Sequence, residues 1–324
     1  MFGQNYQYLC NKGRSAIFAI FRRLKSIGIL PPSIMIYLFD SLVRPILTYG
    51  SHVWGVSTTG TAAIDKVFMW YLLCILKVKA TTSNFIVICV CGSPPPSITC
   101  HISTLCYYKR LYNMSDGNIT KQVFNELCRL NSLGFKNWVS KVCVLAQKYH
   151  VNIDDEHPTL YFKQLCKETV LNSFKSDWTY NVQNVIKNPI LRTYTKFKYN
   201  FELEPYLKYI TNSKHRNALS KLRASSHILE IERGRYTNPK TPMENRLCPL
   251  CNIVDDEEHL VMTCEVNRIE REELYSKVGY IDRHFIYYNT DEKFIFLMTS
   301  NNPYILSWLG KFIYLSFEKR YALL

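Results

Sequence analysis

The sequence has no glycine-rich loop of the kind that cradles a phosphate and no sharp turn presenting a nucleophilic serine, so two common enzyme classes find no support in it. Its eight histidines offer no catalytic pattern either. His101, His150, His157, His215 and His227 have no repeating carboxylate spacing around them, which reads as packed or solvated imidazole. Acidic residues are scarce, 26 against 40 basic, and the formal charge of +14 calls for an acidic partner or at least a basic surface. Long apolar runs are missing as well. Ser15 to Phe21 is short and closed by Arg22 and Arg23, unlike a secretory signal. The longest strongly apolar run, Val67 to Leu76, falls short of the roughly 20 residues that span a bilayer. These absences set the expectation of a nuclear or cytoplasmic chain, neither secreted nor membrane-inserted, whose twelve cysteines are reduced thiols.

What is present points to packed domains. The 324 residues are 47% hydrophobic and 14% aromatic, too apolar for a disordered chain and long enough for two or three domains. No repeat or low-complexity tract interrupts them.

Three cysteines and a histidine stand together as Cys248-Pro-Leu-Cys251, His259 and Cys264, a C-x2-C-x7-H-x4-C spacing that suits a tetrahedral zinc ion. A Cys-x-x-Cys turn aims two thiolates at one ion. His259 and Cys264, five apart, are expected to face inward from a short helix starting near Asp255. Asp255, Asp256, Glu257 and Glu258 crowd its first turn, where the positive end of the helix dipole accepts acid. Leu260 and Val261 are placed to pack beside the metal. Four protein ligands leave no position for a reactive water, so one structural zinc acting as a folding staple is expected, not catalysis. The competing reading of the same residues is ordinary buried thiols and a surface histidine. Cys89-Val-Cys91 is spaced too closely for a metal or redox pair and reads as buried structural thiol.

The positive charge is concentrated. Between Lys187 and Arg246 thirteen basic residues stand against five acidic ones, with Tyr194, Phe197, Tyr199, Phe201, Tyr206, Tyr209 and Tyr236 interleaved. Cations neutralise phosphates and aromatic faces stack on unpaired bases, a mixture suited to single-stranded nucleic acid or a hybrid duplex end. A solvated basic face over an aromatic core would read the same way.

Periodicity predicts a mainly helical chain. Lys12 to Ile27 is amphipathic, with Ile17, Ile20, Phe21 and Leu24 opposite Arg22, Arg23 and Lys25. Further helices are expected over Ser33–Val43, Ala63–Val78, Ile98–Met114, Thr120–Leu130, Lys136–Tyr149, Pro158–Thr179, Arg216–Leu222 and within the Lys293–Leu324 tail. Phe85–Cys91 and His227–Glu232 read as short strands.

Leu38-Phe-Asp-Ser-Leu-Val-Arg-Pro-Ile-Leu-Thr-Tyr-Gly-Ser-His-Val-Trp-Gly55 resembles the segment just after the palm, in the thumb region, of reverse transcriptases of non-LTR retrotransposons. The helix before it, the proline-rich turn after Cys91 and Tyr107-Tyr108-Lys-Arg-Leu111 follow in the order of that family. So do Tyr194-Thr-Lys-Phe-Lys-Tyr-Asn-Phe-Glu-Leu-Glu-Pro-Tyr-Leu207, Leu222 to Tyr236 and the Cys/His cluster with Asp256-Glu-Glu-His259. The resemblance covers nearly the whole chain. It implies a thumb-like helical domain over 1–115, a helical connector over 116–186, the basic aromatic segment 187–246, a zinc-like module over 247–275 and a helical tail over 276–324.

Two carboxylates of an aromatic-x-Asp-Asp turn would be needed for DNA synthesis on RNA, to hold metals about 4 Å apart. Asp154-Asp155 follows Asn152-Ile153, and Asp255-Asp256 follows Ile253-Val254, so neither has the aromatic. The first pair reads as a polar loop and the second lies within the zinc loop. The resemblance begins within the first fifteen residues, so fingers and palm are expected to be absent, and nothing resembles the family's endonuclease. The expectation is therefore not an enzyme, but a catalytically incomplete portion of a reverse transcriptase that binds RNA, DNA or their hybrid. Arg216, Lys221, Arg223, Arg233 and Arg235 are the expected phosphate contacts, with Tyr194, Tyr199 and Tyr236 as stacking partners. The alternatives are a zinc-containing helical protein-interaction module and a non-functional retroelement remnant. Without its palm, the thumb face around Leu38, Phe39, Val43 and Trp54 is expected to expose an apolar patch open to a protein partner.

Overall fold

A computed structural model describes residues 3–153, 158–184 and 189–322. The polar-loop residues Asp154, Asp155 and His157, and Lys187 at the head of the basic segment, lie outside the described residues.

The chain is mainly α, as its periodicity indicates. In order the helices are α1 (Gly3–Ile27), α2 (Pro32–Leu38), α3 (Arg44–Leu47), α4 (Ser51–Trp54), α5 (Thr58–Leu76), α6 (Asn84–Cys91), α7 (Pro96–Tyr112), α8 (Ile119–Ser132) and α9 (Trp138–Lys148). There follow α10 (Thr159–Gln183), α11 (Tyr206–Tyr209), α12 (Ser213–Arg223), α13 (Glu230–Arg233), α14 (Glu257–Met262), α15 (Arg268–Ile281), α16 (Thr290–Thr299) and α17 (Pro303–Ala322). A π-helical turn over Phe39–Val43 joins α2 to α3. Asparagine begins several helices by accepting from the otherwise unpaired N–H groups of the first turn: Asn137 for α9, Asn212 for α12 and Asn289 for α16.

Two expected strands are helical. Phe85–Cys91 falls in α6, and His227–Glu232 runs from a turn into α13. A short apolar run has no periodicity that separates a strand from a buried helix, and here the flanks decide. Ser83 precedes α6, and Gly92 closes it at φ +58. A Cβ on Gly92 would stand 2.2 Å from the Leu203 backbone nitrogen, so a side chain is excluded twice over. Among the described residues there is no strand, only one antiparallel bridge between Leu247 and Val254.

Helix α5 starts earlier than its apolar run suggests. At 19 residues it is the one single helix, among those described, long and apolar enough to cross a membrane, with half of its apolar window buried. Ile64, Val67 and Phe68 are enclosed, and the Asp65 carboxylate on the same helix accepts from the Ser97 N–H at 2.9 Å.

Contacts group the chain into two units, each assembled from separate stretches. The first comprises Met1–Gly28, Tyr37–Tyr71 and Pro94–Trp178. The segment with the thumb-like resemblance forms part of its core. Phe39 packs on Phe68 and Tyr71 with ring centroids 5.0 and 4.9 Å apart. Arg44 pairs with Asp40 at 2.8 Å and donates to the Pro94 carbonyl at 2.9 Å. Trp54 donates to the Tyr49 carbonyl, and Thr104 of α7 donates to the Ser51 carbonyl of α4. Phe39, Val43 and Trp54 are therefore buried and Leu38 is half-buried, so these four residues do not form the expected exposed patch. Helix α5, through Phe68 and Tyr71, covers Phe39 in place of an upstream domain, and a separate core gathers α7, α8, α9 and α10 side chains, Leu105, Val142 and Val170 among them. Leu42, Tyr49 and Val53 of the same segment are exposed instead, as is Tyr8 of α1.

The second unit comprises Ile29–Ile36, Leu72–Ser93 and Thr179–Leu324. Helix α17 packs on α11, α12, α15 and α16. Cys89 and Cys91 are buried in this unit, as their apolar setting implies, and desolvation pushes the Cys89 thiol up to about 12.

Candidate metal centre

The loop before α14 folds as a knuckle. Leu247 and Val254 bridge, the Cys248 N–H donates to the Ile253 carbonyl at 2.7 Å, and the Asn252 N–H donates back to the Cys248 carbonyl at 3.0 Å. Asn252 closes the turn at φ +54, a left-handed conformation that asparagine tolerates better than most residues. This turn brings Cys248 and Cys251 to one side of α14. Asp256 caps that helix by accepting from the His259 N–H at 2.8 Å. Cys264 does not share the helix with His259, as its spacing had suggested. Helix α14 ends at Met262, and Cys264 follows it, heading a short 3-10 turn over Glu265–Asn267. The added bend lets both ligands reach the same point.

The three Sγ atoms and a ring nitrogen of His259 lie within 4.8 Å of one another. Cys251 and Cys264 sulfurs are 3.9 Å apart, too far for a disulfide. Two thiolates each about 2.3 Å from a tetrahedral ion would be separated by about 3.8 Å. The His259 Nδ1 bonds the Thr263 hydroxyl at 2.9 Å, while Nε2 is buried and has no hydrogen-bond partner. Engagement of Nδ1 leaves the Nε2 lone pair for an ion, the usual second-sphere arrangement of a ligating histidine. Burial lowers the His259 pKa, which keeps that imidazole neutral. Leu260 and Val261 are fully buried beside the cluster. The donor set fits one metal ion.

The surroundings compensate the negative charge of three thiolates. Arg320 of α17 donates to the Cys248 sulfur from Nη1 at 3.2 Å and Nη2 at 3.3 Å, and to the Asp255 carboxylate at 2.7 Å. Burial works against ionisation of Cys248, but the N–H groups of Leu250 and Cys251 together with Arg320 outweigh it, and its pKa is lowered. Cys264 is pushed up to about 12, first by burial and then by the neighbouring sulfurs Cys248 and Cys251. A divalent cation at the centre would reverse that repulsion.

The four acids ahead of His259 do more than satisfy a helix dipole. Asp255 holds Arg320 and accepts from the Glu230 N–H, and Asp256 is the helix cap. Glu258 pairs with Lys196. Glu257 is buried at the centre of a network: Arg192 and Thr193 on one oxygen, each at 2.9 Å, with Ser225 at 2.9 Å and His227 at 3.0 Å on the other. Burial would raise the Glu257 pKa, yet these partners hold it well below the carboxylate range. Neither Arg320 nor the Glu257 partners are adjacent to the cluster in sequence. Only the unusual run of four acids gave any sign of them.

The expected nucleic-acid contacts divide sharply by burial. Arg216 and Arg223 are both 4% exposed, and Tyr194 is 1% exposed. Arg216 donates to the Ile210 carbonyl at 2.7 Å. Arg223 pairs with Glu204 at 2.8 Å, donates to the Met298 carbonyl and lies over Phe197 and Tyr206. These three residues are corrected from ligand contacts to interior supports. Arg233 pairs with Glu230 and Arg235 with Glu232, each across one helical turn. Lys221 is half-buried, and Tyr199 and Tyr236 are exposed. The structure does not gather these remaining residues into a cluster of the kind the four metal ligands make. No family model matches this chain, and no curated protein or solved structure matches it either.

Proposed function

We propose that the cluster binds one structural zinc ion and that the chain is a nucleic-acid-binding portion of a reverse transcriptase of the non-LTR retrotransposon kind. The observation that carries the reading is the convergence of three thiols and a partnerless buried imidazole nitrogen on one point. Zinc is the ion that four such ligands suit, since it takes tetrahedral sulfur and nitrogen donors without a redox demand. Its chemistry here is cross-linking: it ties the knuckle to α14, and Arg320 extends the tie to α17. RNA, DNA or their hybrid is the partner that matches a formal charge of +14 and the resemblance described above. No catalytic step is assigned to any residue. The test is metal stoichiometry on the purified chain, followed by salt-titrated binding of a labelled RNA/DNA hybrid. One zinc per chain and affinity falling steeply from about 50 to 200 mM salt are expected. Absence of zinc, or binding indifferent to salt, refutes the corresponding half.

One observation favours a protein partner as the second reading. Tyr8, Leu9, Lys12, Pro45, Ile46 and Tyr49 line an open groove of about 440 Å³ in the first unit, with Tyr8 and Tyr49 well exposed. Aromatic side chains anchor protein interfaces. Binding there would be almost insensitive to salt.

A further inference from the structure

The burial of Arg216, Arg223 and Tyr194 leaves open which surface of the second unit meets a polyanion, and α12 supplies the answer through its two cationic stripes. Arg216 and Arg223 are seven residues apart, two helical turns, and both point into the unit. Lys214 and Lys221 are also seven apart, and at 100° per residue their stripe is displaced by about 200° from the other. Lys214 is exposed and Lys221 half-buried. The arginine stripe is spent on carbonyls and on Glu204, while the lysine stripe faces outward.

Helix α17 continues this surface. It lies against α12 closely enough that a Cβ on Gly310 would stand 3.3 Å from the His215 carbonyl oxygen. The next residue, Lys311, is exposed. Lys214 lies over the Tyr314 ring at 5.9 Å, and His215 packs on the same ring at 5.5 Å. Lys311 stands close enough to help lower the His215 pKa, burial being the larger cause. Much of the remaining basic charge in this stretch is committed elsewhere: Arg192 to Glu257, Lys196 to Glu258, Lys198 to Glu204, Arg233 to Glu230 and Arg235 to Glu232.

We propose that Lys214 and Lys311, set around Tyr314 and His215, together with Lys221 two turns along α12 from Lys214, form the surface that takes the phosphate backbone of single-stranded RNA. The inference rests on the nucleic-acid reading above and assigns that binding to the outer face of α12 and α17. Lys214 and Lys221 are about 10.5 Å apart along the helix axis, so both can meet the backbone of one strand. The half-buried Tyr314 ring beside Lys214 offers a face for a base. Glu273, on α15, is within electrostatic reach of Lys311 but is paired with Lys277, which limits its opposition to the phosphate.

The experiment uses the metal-loaded full chain, a labelled single-stranded RNA oligonucleotide and, separately, phosphatidylserine vesicles. The triple variant Lys214→Ala, Lys221→Ala, Lys311→Ala is compared with one that loses the same charge on α1, Arg22→Ala, Arg23→Ala, Lys25→Ala. Helical content and metal stoichiometry check that both fold. Each phosphate contact on a single strand contributes about 0.7 to the slope of log affinity against log salt. The α12/α17 variant should lose about 2 from that slope, so its affinity should fall about 18-fold less than the wild type's between 50 and 200 mM salt. The α1 variant should keep most of the slope. RNA binding by the wild type with an unchanged slope in the α12/α17 variant overturns this surface alone. No salt-dependent RNA binding by the wild type overturns the nucleic-acid reading together with it. Binding of vesicles but not RNA assigns the lysines to anionic lipid and refutes the proposal.

Discussion

Replacing Arg320 by methionine tests whether the charge around the cluster is part of the metal centre. The substitution keeps most of the apolar stem and removes the guanidinium that bonds the Cys248 sulfur and the Asp255 carboxylate. Asp255 is 1% exposed and would keep only the Glu230 N–H, so a buried ion pair becomes a buried unpaired charge. That kind of loss costs about 3 to 5 kcal/mol. Removing an outer-sphere partner of a metal ligand lowers affinity about 10- to 100-fold. Two assays separate the effects: chelator competition for metal affinity, and urea denaturation of the metal-loaded chain. The double variant Arg320→Met, Asp255→Asn discriminates further, because it removes both charges. It should recover much of the stability while leaving metal affinity weakened, since Cys248 still lacks its donor. If Arg320→Met binds metal with wild-type affinity and unfolds at the wild-type midpoint, the guanidinium contributes neither charge compensation nor packing, and the reasoning fails.

The remaining predictions concern the first unit. His101 bonds the Tyr149 hydroxyl at 2.8 Å, and burial followed by the nearby Lys148 lowers its pKa from 6.5 to about 4. The unfolded chain then binds the extra proton between those values, so His101 contributes stability that is full above about pH 6.5 and lost as the pH falls toward 4, about 3 kcal/mol in all. Asp65 and Lys141 share that groove, so the difference between wild type and His101→Gln isolates the histidine, and a pH-independent difference refutes the assignment. Gly55 stands where a Cβ would meet the Ser51 carbonyl at 2.5 Å and the Thr104 hydroxyl at 2.6 Å. Gly55→Ala should destabilise by about 1 to 3 kcal/mol. Gly117→Ala, with nothing within 4 Å, should be nearly neutral, and equal denaturation midpoints for the two variants would contradict the packing described.

The candidate metal ligands were legible because ligand spacing is a local property. A thiol turn and a histidine a few residues on can be recognised without knowing the rest of the fold. The helices were legible for a similar reason, since amphipathic periodicity acts over one or two turns. What the sequence concealed were the distant partners. Arg320 reaches Cys248 from the far end of the chain, and Glu257 collects Arg192, Thr193, Ser225 and His227 from two other segments. Phe39, Val43 and Trp54 were misplaced at the surface because core neighbours come from outside the resembling segment, Phe68 and Tyr71 for Phe39, Gly13 for Val43 and Gly60 for Trp54. Nothing within the segment shows that Gly55 faces Thr104 and Cys100.

Helix α12 shows why counting charge in the basic segment could not locate a binding surface. Four cations alternate along it as Lys214, Arg216, Lys221 and Arg223, and composition treats all four alike. The helix sorts them into two faces by angle alone, and tertiary packing then turns the arginine face inward. There is a chemical reason for that choice. A guanidinium satisfies several buried acceptors at once, as Arg223 does with Glu204 and the Met298 carbonyl, whereas a strongly hydrated ammonium is better left near water. Arginine in a basic stretch is therefore weak support for a ligand site when buried carboxylates and carbonyls are available to it. The outward lysines are the informative charges. Helix α17 ties them to the metal centre, since it carries Lys311 and Tyr314 on one stretch and Arg320 about nine residues, or about 13 Å, further along. The ligands that fix the knuckle to α17 through Arg320 thus also fix the helix that displays the basic surface.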